Sequence, residues 1–279
     1  LVNPRLAFID RERLDACPVP AGLDVIAVNK AGRKTRSLFK KLLKKNPAGG
    51  DEAGDSGAFP ALLDNVLPFD GMFAAADPQT TALVLFTSGT TSEPKGVELS
   101  QKNIATQIRI LRAQLSVDDR AQLFNILPLH HTDGLTNGVT LSFFAGATLH
   151  RPAAFSIHDL PNSMDYIFRE GISHLVTVPT VLALIQRLGD DFEDAFQSGD
   201  FKVLLSAAAY LPPDLWASFQ DRFKVRISNG YGLTETVTMC AFSGPDEDSF
   251  RIGTVGKPIE SKIRVVDEMG SNVPPGEEG

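Results

Sequence analysis

Ile172–Val178 (ISHLVTV) is an apolar, β-branched run, and after Pro179 it gives way to Thr180–Leu188 (TVLALIQRL), whose apolar positions recur at helical spacing. Lys202–Ser206 (KVLLS) repeats the first pattern, Pro212 and Pro213 open a second helical stretch, and Val225–Ser228 (VRIS) reads as a further short strand. Strands this short and this rich in aliphatic residues need cover on both faces. Helices placed between successive strands supply that cover, so the segment predicts parallel strands layered with helices, an α/β fold.

The same alternation extends outward. Ala82–Phe86 (ALVLF) and Leu123–Leu127 (LFNIL) are strand candidates, and Ser100 can cap a helix whose apolar face is Ile104, Ile108, Leu111 and Leu115. Leu135–Ala145 reads as a buried helix ahead of Ala147–Arg151, and Ile157–Glu170 as another helix. Nearer the start, Leu23–Asn29 (LDVIAVN) is a short buried strand. Residues 33–45 mix Arg33, Lys34, Arg36, Lys40, Lys41, Lys44 and Lys45 with Leu38, Phe39, Leu42 and Leu43 at helical spacing. That pattern is a cationic amphipathic helix, either a solvated face or one turned to an anionic membrane surface or acidic partner. Residues 47–57 (PAGGDEAGDSG) have linker composition. Ser261–Asp267 and the turn at Gly270–Pro275 look like the start of a β-rich unit. The expected organisation is a partial N-terminal subdomain over 1–79, an α/β core over 80–250 and a truncated β-rich unit over 251–279.

With 279 residues and 43% hydrophobic content the chain can bury a substantial core. Lys and Arg number 27 against 34 Asp and Glu, a net charge of −7, which argues against a nucleic-acid binder held by bulk positive field. Cys17 and Cys240 are too few for a disulfide scaffold and fit a reducing compartment. No apolar run reaches the ~20 residues that span a bilayer. The expectation is a cytoplasmic enzyme or binding domain.

Thr87–Val97 (TSGTTSEPKGV) carries the chemistry. Gly89 and Gly96 permit backbone angles that expose amide N–H groups, Thr87, Ser88, Thr90 and Thr91 offer hydroxyls, and Lys95 adds a point charge, which together make a polyphosphate cradle. It is not the common P-loop, which needs Gly before the Lys and Ser or Thr after it, whereas here Pro94 precedes Lys95 and Gly96 follows.

This loop resembles that of the adenylate-forming superfamily of acyl- and aryl-CoA synthetases, luciferase and nonribosomal peptide synthetase adenylation domains, and further motifs follow in that family's order. Leu127–Leu135 (LPLHHTDGL) is similar to the LPLFHxxGL segment, Leu205–Leu211 (LSAAAYL) to the SGGAPL turn, and Asn229–Thr236 (NGYGLTET) to the YGxTE motif; Gly253–Pro258 and Pro274–Gly279 match the turns that come next. The resemblance runs from about Ala82 to the end.

The resemblance implies that Thr87, Ser88, Gly89, Thr90, Thr91 and Lys95 hold the β- and γ-phosphates of ATP, that Thr234 meets the α-phosphate, and that Glu235 binds Mg2+, a hard cation suited to carboxylate and phosphate oxygens. Tyr231 would offer its ring to adenine with Gly230 and Gly232 beside it, the backbone of Ala208, Ala209 and Tyr210 would meet its edge, and Asn229 would sit at the end of the strand Val225–Ser228, where open parallel sheets place ligands. His131 falls beside the family's acyl pocket, where amino-acid-activating members carry Asp; an imidazole there favours an acid without an α-amino group. His130 defaults to a structural role, and two adjacent histidines do not share a metal. Val178, Pro179, Thr180, Ala207, Gly232 and Met239 lie near family pocket positions, and small residues there leave room for an extended or aromatic acid.

The implied reaction is attack of a carboxylate on the α-phosphorus, followed by thioester formation with CoA or, alternatively, loading of a carrier protein; a non-catalytic nucleotide-binding module is the remaining reading. Ser92 and Ala207 stand where the family has Gly, and Tyr210 where it has Pro. The family's ribose-binding aspartate, hinge and lysine-bearing C-terminal domain would lie beyond Gly279, so the resemblance implies a piece of the large N-terminal domain, weak or inactive by itself.

Overall fold

A computed structural model describes residues 6–10, 24–28, 77–87, 94–151, 157–189 and 192–279. The cationic segment 33–45, the linker 47–57, Cys17 and the loop residues 88–93 lie outside them. The chain divides into two units, Leu1–Ala74 and Ala75–Gly279. In the first, β1 (Leu6–Asp10) pairs in parallel with β2 (Asp24–Val28), Leu6 opposite Asp24 and Asp10 opposite Val28. β2 is the strand expected at Leu23–Asn29; β1 (LAFID) is not among the strands expected from the sequence.

The second unit opens with an antiparallel hairpin, β3 (Thr81–Thr87) and β4 (Lys95–Ser100), which sets Thr87 opposite Lys95. Helix α1 (Gln101–Gln114) follows at once, because Ser100 closes a capping box: its hydroxyl accepts from the Asn103 N–H at 3.2 Å and the Asn103 side chain accepts from the Ser100 N–H at 2.9 Å. Then come β5 (Gln122–Asn125), a helical turn Thr132–Gly134, a π-helical stretch Leu135–Thr140 and α2 (Leu141–Ala145). The expected buried helix is therefore a composite. Leu141 and Ser142 are buried, but Phe143 projects outward with 83% exposure.

β6 (Thr148–His150) is followed by α3 (Leu160–Arg169), β7 (His174–Thr177), α4 (Pro179–Leu188), β8 (Val203–Ser206) and α5 (Pro213–Phe223). Pro179 begins α4 itself, not the residue after it, as suits a residue with no N–H to leave unpaired. β9 (Ile227–Tyr231), β10 (Ala241–Ser243) and β11 (Lys257–Pro258) complete a seven-stranded sheet in the order β11-β10-β9-β8-β7-β5-β6. β6, β5, β7, β8 and β9 run parallel, and β10 and β11 extend the sheet antiparallel.

The strand expected at Val225–Ser228 is shifted. Pairing of β10 with Asn229, Gly230 and Tyr231 extends it to Tyr231, while Lys224 at φ 50 caps α5 and delays its start to Ile227. Asn229 accordingly lies within the strand and not at its end. Near the tail, an isolated antiparallel bridge joins Val266 to Asn272 around a turn in which the Asp267 carboxylate accepts from the N–H groups of Met269 and Ser271.

Both sheet faces are covered, and the two-residue period of the strands divides the core. Phe124, Leu175 and Leu204 pack with Met164, Leu182, Trp216 and Phe219 of α3, α4 and α5. Their chain neighbours Leu123, Val176, Val203 and Leu205 pack on the opposite face with Ile108 and Leu111 of α1 and Leu141 of α2. Parallel strands put their C-terminal ends on one edge, so the turns after β5, β7, β8 and β9 emerge together.

Candidate active site

At that edge lie two adjoining clefts. The first, of about 360 Å3, is lined by Ala208, Ala209, Tyr210 and Leu211 after β8, by Asn229, Gly230, Tyr231 and Gly232 of β9 and its continuation, and by Gly253, Thr254 and Val255. The second, of about 480 Å3, is lined by Thr87 at the end of β3, by His131, Thr132 and Asp133, by Ala207, Ala208, Gly230 and Gly232, and by Leu233, Thr234, Glu235, Thr238 and Met239. Ala208, Gly230 and Gly232 form their common wall.

Local backbone geometry makes that wall thin. A Cβ on Gly232 would stand 1.6 Å from the Thr238 carbonyl oxygen, so only glycine allows the Thr238 chain to fold back onto β9. Ala208 takes φ 68, a left-handed conformation that turns the chain sharply out of β8 at a cost of about 1 kcal/mol for an L residue.

The first cleft has an unmet polar requirement. Asn229 is buried; its Nδ2 donates to the Thr254 carbonyl at 3.2 Å, but its Oδ1 has no protein partner. A buried acceptor left unpaired costs about 1–3 kcal/mol, and a ligand N–H entering beside the half-exposed Tyr231 ring would satisfy it. A purine with an exocyclic amine fits both features.

The second cleft is rich in oxygen donors. The turn Thr234–Thr236 carries Glu235, and Thr87, Thr132, Thr234 and Thr238 add hydroxyl-bearing side chains to the lining. This hard donor set suits Mg2+ together with phosphate oxygens. Among the described residues no group of three or more His, Cys, Asp and Glu side chains could hold a metal by itself.

His131 sits half-exposed in the second cleft with its Nδ1 3.0 Å from the buried Asp133 carboxylate. The Asp133 hydrogen bond raises the His131 pKa above its ordinary value, against the opposing effect of partial burial. Asp133 is itself fixed: Asn137 Nδ2 donates to its other oxygen at 2.8 Å, and Asn125 Nδ2 donates to its carbonyl at 2.8 Å. Arg151 ties down the same turn by donating to the carbonyls of Asn125 and, at 2.8 Å, Leu127.

Of the residues singled out from sequence, Thr87, His131, Thr234 and Glu235 meet in the second cleft, and Ala208, Ala209, Tyr210, Asn229, Gly230, Tyr231 and Gly232 in the first. Lys95 lies across the hairpin from Thr87, exposed and outside both linings. Ser88, Gly89, Thr90 and Thr91 are outside the described residues. Sequence reasoning missed Asp133, for which an Asp two residues after His131 was the available signal, and it matched Gly253, Thr254 and Val255 to a family turn without placing them at the cleft.

Comparison with known proteins gives the chain its family and fold. The family model described as AMP-binding enzyme matches residues 5–279. A sulfoacetate–CoA ligase of Cupriavidus necator is 31% identical over 229 residues, 82% of this chain and 43% of that protein. An oxalate–CoA ligase of Arabidopsis thaliana is 31% identical over 207 residues, 72% of this chain and 39% of that protein. The chain thus spans less than half the length of these relatives. An anthranilate CoA ligase, AuaEII, solved with anthranoyl-AMP, superposes with TM-score 0.76 at 21% identity over 98% of this chain and 49% of that one. ATP-bound MatB from Rhodopseudomonas palustris gives 0.75 at 23% identity over the same shares. Those two structures share its α/β fold; with its motifs in order along a sheet edge and a family model matched over nearly its whole length, the chain belongs to the AMP-binding enzyme family.

Proposed function

We propose that this protein activates a carboxylic acid with ATP as an acyl-adenylate and transfers the acyl group to the thiol of CoA. The observation that carries the proposal is the pair of clefts divided by a wall of Ala208, Gly230 and Gly232: one offers a purine-sized slot with an unpaired buried acceptor, the other a hydroxyl-lined space with one carboxylate. A nucleotide whose base fills the first would direct its phosphates into the second. The names of the CoA ligase relatives support the choice of acceptor.

In the first step a carboxylate oxygen attacks the α-phosphorus, and the bond from that phosphorus to the oxygen bridging to the β-phosphorus breaks, releasing pyrophosphate. The attacking acid is already ionised, so the protein supplies position and charge stabilisation and no general base. Asn229 orients the base, Tyr231 covers its face, and Thr234 donates to the α-phosphate. Glu235 would hold Mg2+, which when bound neutralises charge on the phosphate oxygens. Thr87 and Lys95, flanking the hairpin loop with Ser88, Gly89, Thr90 and Thr91, take the β- and γ-phosphates. In the second step the CoA thiolate attacks the acyl carbon and AMP leaves. His131 borders the acid, and its imidazole disfavours a substrate ammonium, which assigns an acid without an α-amino group.

ATP–pyrophosphate exchange by the intact protein, with Mg2+ and a panel of aliphatic, aromatic, acidic and amino acids, tests this. Exchange that requires both Mg2+ and one class of acid, followed by thioester formation with CoA, is the expected result. ATP binding without acid-dependent exchange overturns it, and thioester formation only on carrier-bound pantetheine corrects the acceptor.

A further inference from the structure

The turn that presents Glu235 is strained and clamped from outside. Val237, buried directly after Thr234–Thr236, has φ 68 and ψ −59. A β-branched residue avoids this γ-turn region, because its Cβ substituents collide with the backbone there. N-terminal to Val237 the turn is held by its own bonds: the Val237 N–H donates to the Thr234 carbonyl at 3.0 Å, the Thr236 N–H donates to that of Leu233 at 3.1 Å, and Thr236 Oγ1 accepts from the Leu233 N–H at 2.9 Å. On the C-terminal side the Thr236 hydroxyl lies 3.2 Å from the Thr238 carbonyl, and a second hold comes from elsewhere in the sequence. Gln107, buried on α1, donates from Nε2 to Thr238 Oγ1 at 3.1 Å and to the Met239 carbonyl at 2.8 Å. A carbonyl only accepts, so the amide nitrogen is the atom facing it, and both its N–H groups are engaged.

We propose that Gln107 is a positioning residue that keeps the Thr234–Glu235 turn in its working conformation by fixing Thr238 and Met239 against the backbone strain at Val237. This rests on the role for Glu235 given above. The strain pushes ψ of Val237 toward relaxed values, and that rotation swings the 234–236 turn relative to β10. The two amide bonds land on the residues immediately after Val237, where they oppose the rotation. A leucine at 107 fills similar volume and offers neither donor.

Two measurements on the intact protein test the clamp. The first is independent of activity: hydrogen exchange of the ligand-free protein, in which Gln107→Leu should speed exchange of the Val237 and Thr236 amides at least tenfold while the amides of β8 keep their protection. Unchanged rates at Val237 and Thr236, or a uniform rise across the sheet, overturn the proposal. The second is a double-substitution cycle read by acid-dependent exchange. Gln107→Leu should raise the half-saturating Mg2+ and ATP concentrations at least tenfold in the native background, but less than threefold in a Val237→Gly background, because glycine has no strain for the clamp to oppose. Equal losses in both backgrounds, or a lower maximal rate with unchanged half-saturation, mean that Gln107 is merely structural. Absence of exchange in the unsubstituted protein counts against the proposed function and leaves the hydrogen-exchange result to decide the clamp.

Discussion

Replacing Gly232 by Ala tests whether the thin wall between the clefts is a backbone requirement. The added Cβ would lie 1.6 Å from the Thr238 carbonyl oxygen and 2.6 Å from Met239 Cα. Bringing the carbon–oxygen separation to an ordinary value of about 3.3 Å requires the two chains to part by roughly 1.7 Å. Neither chain is free to move: the Cys240 N–H donates to the Tyr231 carbonyl at 2.8 Å, and β10 pairs along β9. The cost belongs at the upper end of overpacking, about 3 kcal/mol. For a unit of this length that lowers the melting temperature by roughly 6–12 °C. Displacing the Glu235 turn by an ångström or more should also cost on the order of a hundredfold in exchange rate. Gly230→Ala is the control, since its Cβ meets the Met239 thioether at 2.4 Å and a methionine side chain swings aside for about 1 kcal/mol. A Gly232→Ala protein that melts within about 2 °C of native and keeps its exchange would refute the argument, as would a Gly230→Ala protein that falls equally far.

Asp133→Asn removes the partner that raises the His131 pKa. Because the folded-state pKa is raised, the stability from this pair is fully present below the unfolded pKa of about 6.5 and is lost as pH rises through the folded value; melting curves from acid to alkaline pH should show that loss in the native protein and lack it in the variant. Asn229→Ala should weaken ATP binding about tenfold by removing the acceptor for the adenine amine while leaving unchanged the binding of purine riboside triphosphate, whose base has no exocyclic amine, and titration calorimetry with both nucleotides measures the difference. Ser100→Ala deletes one arm of the α1 capping box, so thermal melting should fall by about 2–4 °C for a loss of about 1 kcal/mol.

Much of the fold was legible from local patterns. The aliphatic-rich stretches around Leu123, Leu175–Val176 and Val203–Leu205 are strands because both faces are buried, and that demand shows in composition alone. Ser100 with Asn103, and the prolines at 179 and 213, mark helix starts through backbone chemistry confined to one turn. β10 and β11 escaped because three- and two-residue strands exist only through their partners. The extension of β9 through Asn229 and Gly230 escaped for the same reason, since neither residue favours a strand by itself.

The candidate site divides the same way. Linear order identified the residues at the tips of β3, β8 and β9, because a motif written on consecutive positions survives without knowledge of where the chain goes. Gln107, Asp133, Arg151 and Thr254 act through contacts that link distant or sharply turned segments: α1 to Thr238, the buried turn to His131, the end of β6 to β5, and the Gly253–Val255 loop to Asn229. Such contacts leave no periodic trace. The amino-acid sequence by itself determined the α/β layering and marked Thr87–Val97, His131 and Thr234–Glu235 as motifs, because burial period, caps and glycine requirements are local. Only the tertiary structure decided that the two clefts share one wall, that Asn229 is left with a free acceptor and that Val237 is held under strain, because these depend on which distant backbone and side-chain groups the sheet brings within hydrogen-bonding reach.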